Sequence, residues 1–277
     1  MRGSHFDKPS VTPRYRLTAM GSDPFAATRE ALYETIFGDV RYTPETESTN
    51  ADALRLLEEP EKHGGVTIVA DFQYHGRGRR GREWIAAPGS ALLFTTILPV
   101  TLNAAGLWAI PFWCALAIKE ALALHDIETT LQWPNDILLQ ERKLAGTLCV
   151  SRGVGTRAWA ACGVGINVNN TQDSFYEGIE PQPAFLSDVS SIQRAGLLTT
   201  ILRVFAATFG DLEDPDQIAR RWETAAELHG TAYRLLIDGE MEPIVGTAER
   251  LGSLGALVVR HNGQEREISF ADARVLR

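Results

Sequence analysis

LQWPNDILLQERKLAGTLCVSRGVGTRAWAACGVGINV, residues 131–168, is the stretch whose reading decides the fold. It contains the apolar, β-rich runs DILL at 136–139, GTLCV at 146–150 and AWAACGVGINV at 158–168. Gln140-Glu141-Arg142 and Gly153-Val154-Gly155 separate them. Gaps this short leave no room for a helix, so each strand must turn back on its neighbour as an antiparallel hairpin. Upstream, VTIVADF at 66–72 and ALLFTTIL at 91–98 read as further buried strands. An apolar helix over 104–124 interrupts the strands instead of alternating with each of them. The class is therefore α+β with a central mixed sheet, not a strict β–α repeat.

Working outward, residues 1–22 are polar and without period, and PFAATREALYETIF at 24–37 predicts a helix; together they make a tail and short helix over 1–40. Ser48-Thr49-Asn50 precedes a second helix, ADALRLLEE. After the strands, a helix is expected over about 196–210. Another opens at Asp214-Pro215, an N-cap followed by proline at the first helical position, and runs through QIARRWETAAEL to Gly230. From Thr231 the pattern changes to short strands: YRLLI, PIVGTAERL, ALVVRH, REISF and ARVL. Their turns are Asp238-Gly239, Ser253-Leu254-Gly255 and Asn262-Gly263, the last a strong hairpin signal. The expected division is a main domain over 41–229 and a small SH3-like β-barrel over 230–277.

The chain has 277 residues, 44% of them hydrophobic, and a formal charge of −8. An acidic whole-molecule field repels phosphate, which argues against non-specific binding to nucleic acid or to acidic membranes. Cys114, Cys149 and Cys162 lie in apolar runs with neither metal-ligand spacing nor an even count. They read as reduced, buried thiols of a cytoplasmic protein. No apolar core follows the basic N-terminus, and the greasy stretch from Ala104 to Ile118 is too short to span a bilayer, so no membrane association is expected.

Gly76-Arg77-Gly78-Arg79-Arg80-Gly81-Arg82, followed by Trp84, is the most specific chemical signal. Glycines let backbone approach a ligand, and arginines offer forked donors to carboxylate or phosphate. Alone, the segment suits single-stranded nucleic acid and a small anion equally. The acidic remainder of the chain favours the small anion. Trp133-Pro134-Asn135-Asp136 reads as a turn entering a strand, and Lys143 as a strand lysine after a tight turn. Gly163-Val164-Gly165-Ile166-Asn167 is a glycine-containing strand with no helix behind it, so it is not a dinucleotide fingerprint. Ser48-Thr49-Asn50 fits an N-cap, or a polar ligand site at a helix N-terminus.

In order, ESTN, GRGRRGR-x-W, WPND, RKLAGTL and GVGINVN closely resemble the biotin–protein ligase family, strongly over about 45–170. The resemblance implies a mixed-sheet biotin/lipoate ligase-like catalytic domain with a small SH3-like C-terminal domain. It implies that Ser48, Thr49, Asn50 and Gln73 contact biotin, and that Gly76, Arg77, Gly78 and Arg79 close over biotin and its adenylate. It implies that Lys143 is the essential lysine between the biotin carboxylate and the α-phosphate, with Arg79 assisting. Leu148, Gly163 and Gly165 are then lining residues of the biotin pocket, and Trp84, Asn135 and Asn167 lie near the adenine. Asp136 matches a family carboxylate that serves either Mg²⁺ or biotin. The implied partners are biotin, ATP with Mg²⁺, and a biotin carboxyl carrier protein; a homodimer stays open. The N-terminal segment shows no helix-turn-helix pattern, so no DNA partner is expected. The run departs from the family at Cys149-Val150-Ser151, where an acidic residue is usual, and at Ala86-Ala87-Pro88. The alternatives are a lipoate–protein ligase of the same fold and a non-catalytic nucleic-acid-binding module using the arginine loop.

Overall fold

A computed structural model describes residues 23–171, 176, 179, 182–237, 240, 242–269 and 271–276. The expected tail over 1–22 and the Asp238-Gly239 turn lie outside the described residues. The first helix, α1 (Ala26–Leu32), is shorter than the 24–37 expected. Its end is set by Thr35, whose N–H and hydroxyl both donate to the Leu32 carbonyl, at 2.8 and 2.9 Å. Strand β1 (Val40–Thr46) was not legible as a strand, because its side chains are mixed and it contains Pro44. It sits at the sheet edge, where a missing proline N–H costs no ladder bond. Helix α2 (Thr49–Leu56) returns the chain to β2 (Thr67–Gln73), parallel to β1.

There follow β3 (Ala91–Ile97), the short β4 (Leu102–Asn103), α3 (Ile110–Ala123), β5 (Thr130–Gln132), β6 (Asp136–Leu139), β7 (Arg142–Val154) and β8 (Arg157–Asn167). They complete an eight-stranded sheet in the order β1-β2-β3-β8-β7-β6-β5, with β4 beside β8. Every pairing except β1–β2 is antiparallel, so the sheet is mixed, as the hairpin reading requires. The β6–β7 turn has Gln140 and Glu141 at φ 49° and 63°, the left-handed pair that matches strand twist in a two-residue hairpin.

A bulge follows. Ile137 faces Ala145 while Leu138 faces Lys143, so β7 holds one extra residue. Leu144 and Ala145 consequently both enter the core, and Lys143 and Gly146 both reach the opposite side of the sheet.

The helices α1, α3, α4 (Arg194–Thr208) and α5 (Pro215–Ala225) cover one face, around Phe94, Trp113, Ile118, Ile166 and Phe205. The other face receives α2, where Ala53 and Leu57 meet Ile68, Ile97 and Ala161. The Asp214 carboxylate caps α5 by accepting from Gln217 N–H at 2.9 Å, as the sequence led us to expect, although the helix stops at Ala225, short of Gly230. A 3₁₀ segment, Ala104–Ala109, prolongs α3 into a 20-residue run, Ala104–Ala123. That run and Arg194–Glu213 are long and apolar enough to cross a membrane, which corrects the expectation that the first was too short. In α3, Trp113, Cys114 and Ile118 are buried against the sheet and α4, where the core uses that apolarity.

Strands β9 (Ala232–Ile237), β10 (Ile244–Leu251), β11 (Leu257–His261), β12 (Gln264–Ile268) and β13 (Ala271–Val275) form a five-stranded antiparallel SH3-like sheet ordered β12-β11-β10-β9-β13. Asn262-Gly263 closes β11–β12 with both residues at positive φ, 49° and 79°. The small sheet docks on the end of β5. Gln132 donates from Nε2 to the Ala273 carbonyl at 3.2 Å and accepts from Val275 N–H at 3.1 Å. The buried Trp133 donates its indole N–H to the Gly255 carbonyl at 3.0 Å. Tyr233, Leu235 and Leu257 belong to the same buried cluster as α3 and α4, so one core continues across both sheets.

Candidate active site

On the sheet face that carries α2, a cleft of about 420 Å³ opens over β7 and β8. Its floor is backbone, because Gly146 faces Gly165 and Leu148 faces Gly163 across the ladder. The start of α2, the end of β2, the arginine segment and the residues around the β6–β7 hairpin form its walls, and Ala273 of the small sheet reaches its rim.

Ser48 occupies the N-cap position of α2 in extended conformation, yet its side chain makes no cap hydrogen bond. Gln73 does that work instead. Its Oε1 accepts from Thr49 N–H at 2.8 Å and from the Thr49 hydroxyl at 3.0 Å. The N-cap reading of Ser48-Thr49-Asn50 is therefore right in position, but the acceptor is Gln73 and not Ser48. The Ser48 side chain lines the cleft. Asn50, 6% exposed, donates from Nδ2 to the Leu148 carbonyl at 3.1 Å and accepts at Oδ1 from the Thr95 hydroxyl at 2.9 Å.

The arginine segment folds back on itself. Gly78 N–H donates to the Arg82 carbonyl at 2.7 Å, the backbones of Arg77 and Glu83 form an antiparallel bridge, and Arg80 and Gly81 turn the chain at φ 58° and 73°. Arg77, Gly78, Arg79 and Arg82 face the cleft. The segment closes where Trp84 N–H donates to the Gly76 carbonyl at 2.9 Å. The Trp84 ring packs against the floor: a Cβ on Gly165 would meet its Cε2 at 2.5 Å, and one on Gly146 its Cζ3 at 3.4 Å. Its Nε1 is buried without a hydrogen-bond partner among the described residues.

Lys143 Nζ stands 5.7 Å from the Trp84 ring centroid and 2.7 Å from Asp136 Oδ1. The Lys143 backbone is held as well, since its carbonyl accepts from Ala184 N–H at 2.9 Å and from Asn167 Nδ2 at 3.3 Å. Asn135 donates from Nδ2 to the Thr147 carbonyl at 2.6 Å. Asn135 thus ties the start of β6 to β7, and Asn167 ties β7 to β8 beside Lys143.

Of the residues singled out from the sequence, Ser48, Thr49, Asn50, Gln73, Arg77, Gly78, Arg79, Trp84, Asn135, Asp136, Lys143, Leu148, Gly163, Gly165 and Asn167 all line this cleft. Gly76 does not; a Cβ there would meet the Trp84 carbonyl at 2.5 Å, so its part is to let the segment close. Sequence reasoning missed Thr95, Gln132 and Tyr176. Thr95 carried a usable signal, a hydroxyl in a strand whose every residue is buried and which therefore needs a partner. Tyr176, whose hydroxyl lies 3.0 Å from Ser90 Oγ, had none.

The arrangement places fixed cations beside an apolar floor of glycine backbone and an indole. It suits a ligand with a flat, poorly charged body and an anionic end. Residues 42–167 match the Biotin/lipoate A/B protein ligase family. The chain is similar to a biotin–[acetyl-CoA-carboxylase] ligase of Paracoccus denitrificans, 38% identical over 133 residues, which are 47% of this chain and 54% of that one. Its likeness to the Mycobacterium tuberculosis protein of the same description is longer, 28% identical over 244 residues, covering 84% of this chain and 87% of the relative. In fold it is similar to a biotin protein ligase from Aquifex aeolicus in complex with biotin and ATP, with a TM-score of 0.66, 24% identity, and coverage of 86% of this chain and 99% of that one.

Proposed function

We propose that this chain, which belongs to the biotin/lipoate A/B protein ligase family, is an ATP-dependent biotin–protein ligase. The reaction has two steps. The biotin carboxylate attacks the α-phosphate of ATP, giving biotinyl-5′-AMP and pyrophosphate. A lysine of a biotin carboxyl carrier protein then attacks the mixed anhydride, releasing AMP.

Both first-step reactants are anions, so the barrier to overcome is charge repulsion. A cation fixed in advance lowers it without reorganising during the reaction. The observation that carries the reading is the placing of Lys143: the bulge turns it to the cleft side, Asp136 holds its Nζ, and its carbonyl is tied to Asn167 of β8 and to Ala184. Lys143 is the residue that meets carboxylate and α-phosphate together. Gly165 and Leu148 supply a floor for the bicyclic body of biotin, beside Ser48, Thr49 and Gln73. Arg77 and Arg79, with Gly78, cover the ligands and keep water from the anhydride. Trp84, Asn135 and Asn167 border the nucleotide side. The second step needs no enzyme nucleophile, because the carrier amine supplies it.

The donor set fits Mg²⁺ that arrives with the nucleotide better than a resident ion. No group of three metal-binding side chains occurs among the described residues, and Asp136 has committed Oδ1 to Lys143. Mg²⁺ is commonly held by one or two carboxylates plus substrate phosphates, and Asp136 is the carboxylate placed to contribute. When bound, it would spread the negative charge of the phosphates.

Lipoate–protein ligation is the competing activity within the family. Isothermal titration with biotin and with lipoate separates the two. Saturable heat with biotin and none with lipoate at the same concentration is expected; the reverse would reassign the substrate.

A further inference from the structure

Across the three strands β3, β8 and β7, the residues Thr95, Gly163 and Leu148 form one rung. Asn50 lies over this rung and is fastened at both ends. Its Oδ1 accepts from the Thr95 hydroxyl at 2.9 Å, and its Nδ2 donates to the Leu148 carbonyl at 3.1 Å. The middle residue must be glycine, since a Cβ on Gly163 would stand 2.2 Å from Asn50 Oδ1. This glycine is thus accounted for by a protein side chain and needs no ligand to explain it.

The same Thr95 hydroxyl lies 2.8 Å from Thr49 Oγ1. Thr49 in turn gives both its N–H and its hydroxyl to Gln73 Oε1, at 2.8 and 3.0 Å. A backbone N–H can only donate, so the amide atom facing it must be the oxygen. The Gln73 nitrogen is thereby left as the atom available to a ligand in the cleft that Gln73 lines. Similarly, the Asn50 atom facing the Leu148 carbonyl must be nitrogen. One buried hydroxyl, with Thr95 0% exposed, therefore gives its single proton to Asn50 and so holds the start of α2, while the Thr49 N–H sets the sense of the Gln73 amide.

We propose that Thr95 is a positioning residue of the biotin site, acting through Asn50, and that Asn50 and Gly163 serve the site as a structural lock and not by touching biotin. This rests on the biotin-ligase reading above. It assigns ligand contact at this end of the cleft to Ser48, Thr49 and the Gln73 nitrogen. Removing the Thr95 hydroxyl leaves the buried Asn50 Oδ1 without its donor, which loosens Asn50 and with it the start of α2 that presents Ser48 and Thr49.

The test compares Thr95→Val, Thr95→Ser and Gly163→Ala with wild type by isothermal titration with biotin, and by steady-state pyrophosphate release at varied biotin. Thermal melting confirms that each variant is folded. Thr95→Val is expected to weaken biotin binding tenfold or more and to raise KM for biotin by a similar factor, with kcat at saturating biotin within threefold of wild type. Thr95→Ser, which keeps the hydroxyl, should return both values to within threefold. Gly163→Ala should reproduce the Thr95→Val defect with the hydroxyl intact. A folded Thr95→Val that binds biotin like wild type overturns the proposal and leaves the ligase reading standing. Should Thr95→Val fail to fold, Gly163→Ala decides: wild-type biotin binding there overturns the lock. Wild-type protein that binds no biotin overturns the ligase reading, and this proposal with it.

Discussion

Lys143 Nζ lies 2.7 Å from Asp136 Oδ1, the two residues belonging to adjacent strands joined by a two-residue turn. The side chains are 37% and 20% exposed, so the pair adds little to stability. Its use is to aim a flexible lysine. A four-carbon stem left alone would sample many rotamers, and here a carboxylate on one side and the Trp84 ring on the other restrict it.

Lys143→Ala removes the fixed cation and should cost roughly 3 kcal/mol or more of transition-state stabilisation, about a hundredfold in rate. Asp136→Asn keeps the shape and loses the charge that aims the lysine. It should be the milder change, on the order of tenfold, the worth of one charged hydrogen bond. Pyrophosphate release by both variants at saturating ATP and biotin checks the ranking. A Lys143→Ala rate equal to wild type would remove the lysine from the first step.

Arg79 belongs to a segment turned by Arg80 and Gly81 at positive φ, so it is attached to the cleft by a loop and not by the sheet. Arg79→Gly should still form the adenylate but hold it poorly. Free biotinyl-5′-AMP should accumulate in the medium and label lysines without selection. Chromatography of the filtrate reads this directly; adenylate retained as tightly as in wild type would contradict it.

The small C-terminal sheet cannot be cut away as cleanly as its sequence pattern suggests. Tyr233, Leu235 and Leu257 share the core with α3 and α4, and Ala273 reaches the cleft, so truncation after Gly230 should unfold the protein. Gln132→Ala is the gentler probe. It strips partners from the Ala273 carbonyl and Val275 N–H and should cost about 1–3 kcal/mol of stability. Denaturant unfolding measures the loss; an unchanged midpoint would mean that the docking bonds carry no weight.

The three cysteines meet around one spot, Cys149 facing Cys162 across β7 and β8 with Cys114 beneath on α3. Burial pushes the Cys114 thiol up, and hydrogen bonds among the thiols hold Cys149 and Cys162 well above the ordinary range. A raised folded-state pKa favours the neutral thiol. The stability it contributes is complete below the unfolded thiol value of about 8.5 and declines as pH rises beyond it. Cys149 is half-buried, not buried as expected from the sequence, so at pH 8 a thiol-alkylating reagent should leave Cys114 and Cys162 unmodified until the protein unfolds and should reach Cys149 first. Mass spectrometry before and after denaturant checks this, and rapid native labelling of Cys114 or Cys162 would contradict it.

The hairpins of residues 136–168 were legible because apolar runs and turn residues are local signals, and the structure returns them as β6, β7 and β8. Strand β1 was not, because an edge strand shows polar side chains and tolerates proline. The residues of the cleft could be named from their motifs, but their connections could not. Nothing in RKLAG announces that Leu144 and Ala145 share a face through a bulge, which is what turns Lys143 to the cleft. The Gln132–β13 and Thr95–Asn50 bonds join residues 141 or more and 45 positions apart, distances at which sequence pattern carries no pairing information.

The central claim is that this cleft makes an adenylate of biotin and passes it to a carrier lysine. The most direct measurement is intact-mass analysis of a biotin carboxyl carrier domain incubated with the wild-type protein, biotin, ATP and Mg²⁺. The account predicts the gain of a single biotinyl group on one lysine, dependent on ATP and absent with Lys143→Ala. A carrier of unchanged mass, in the presence of folded wild-type protein and all three reagents, would contradict it.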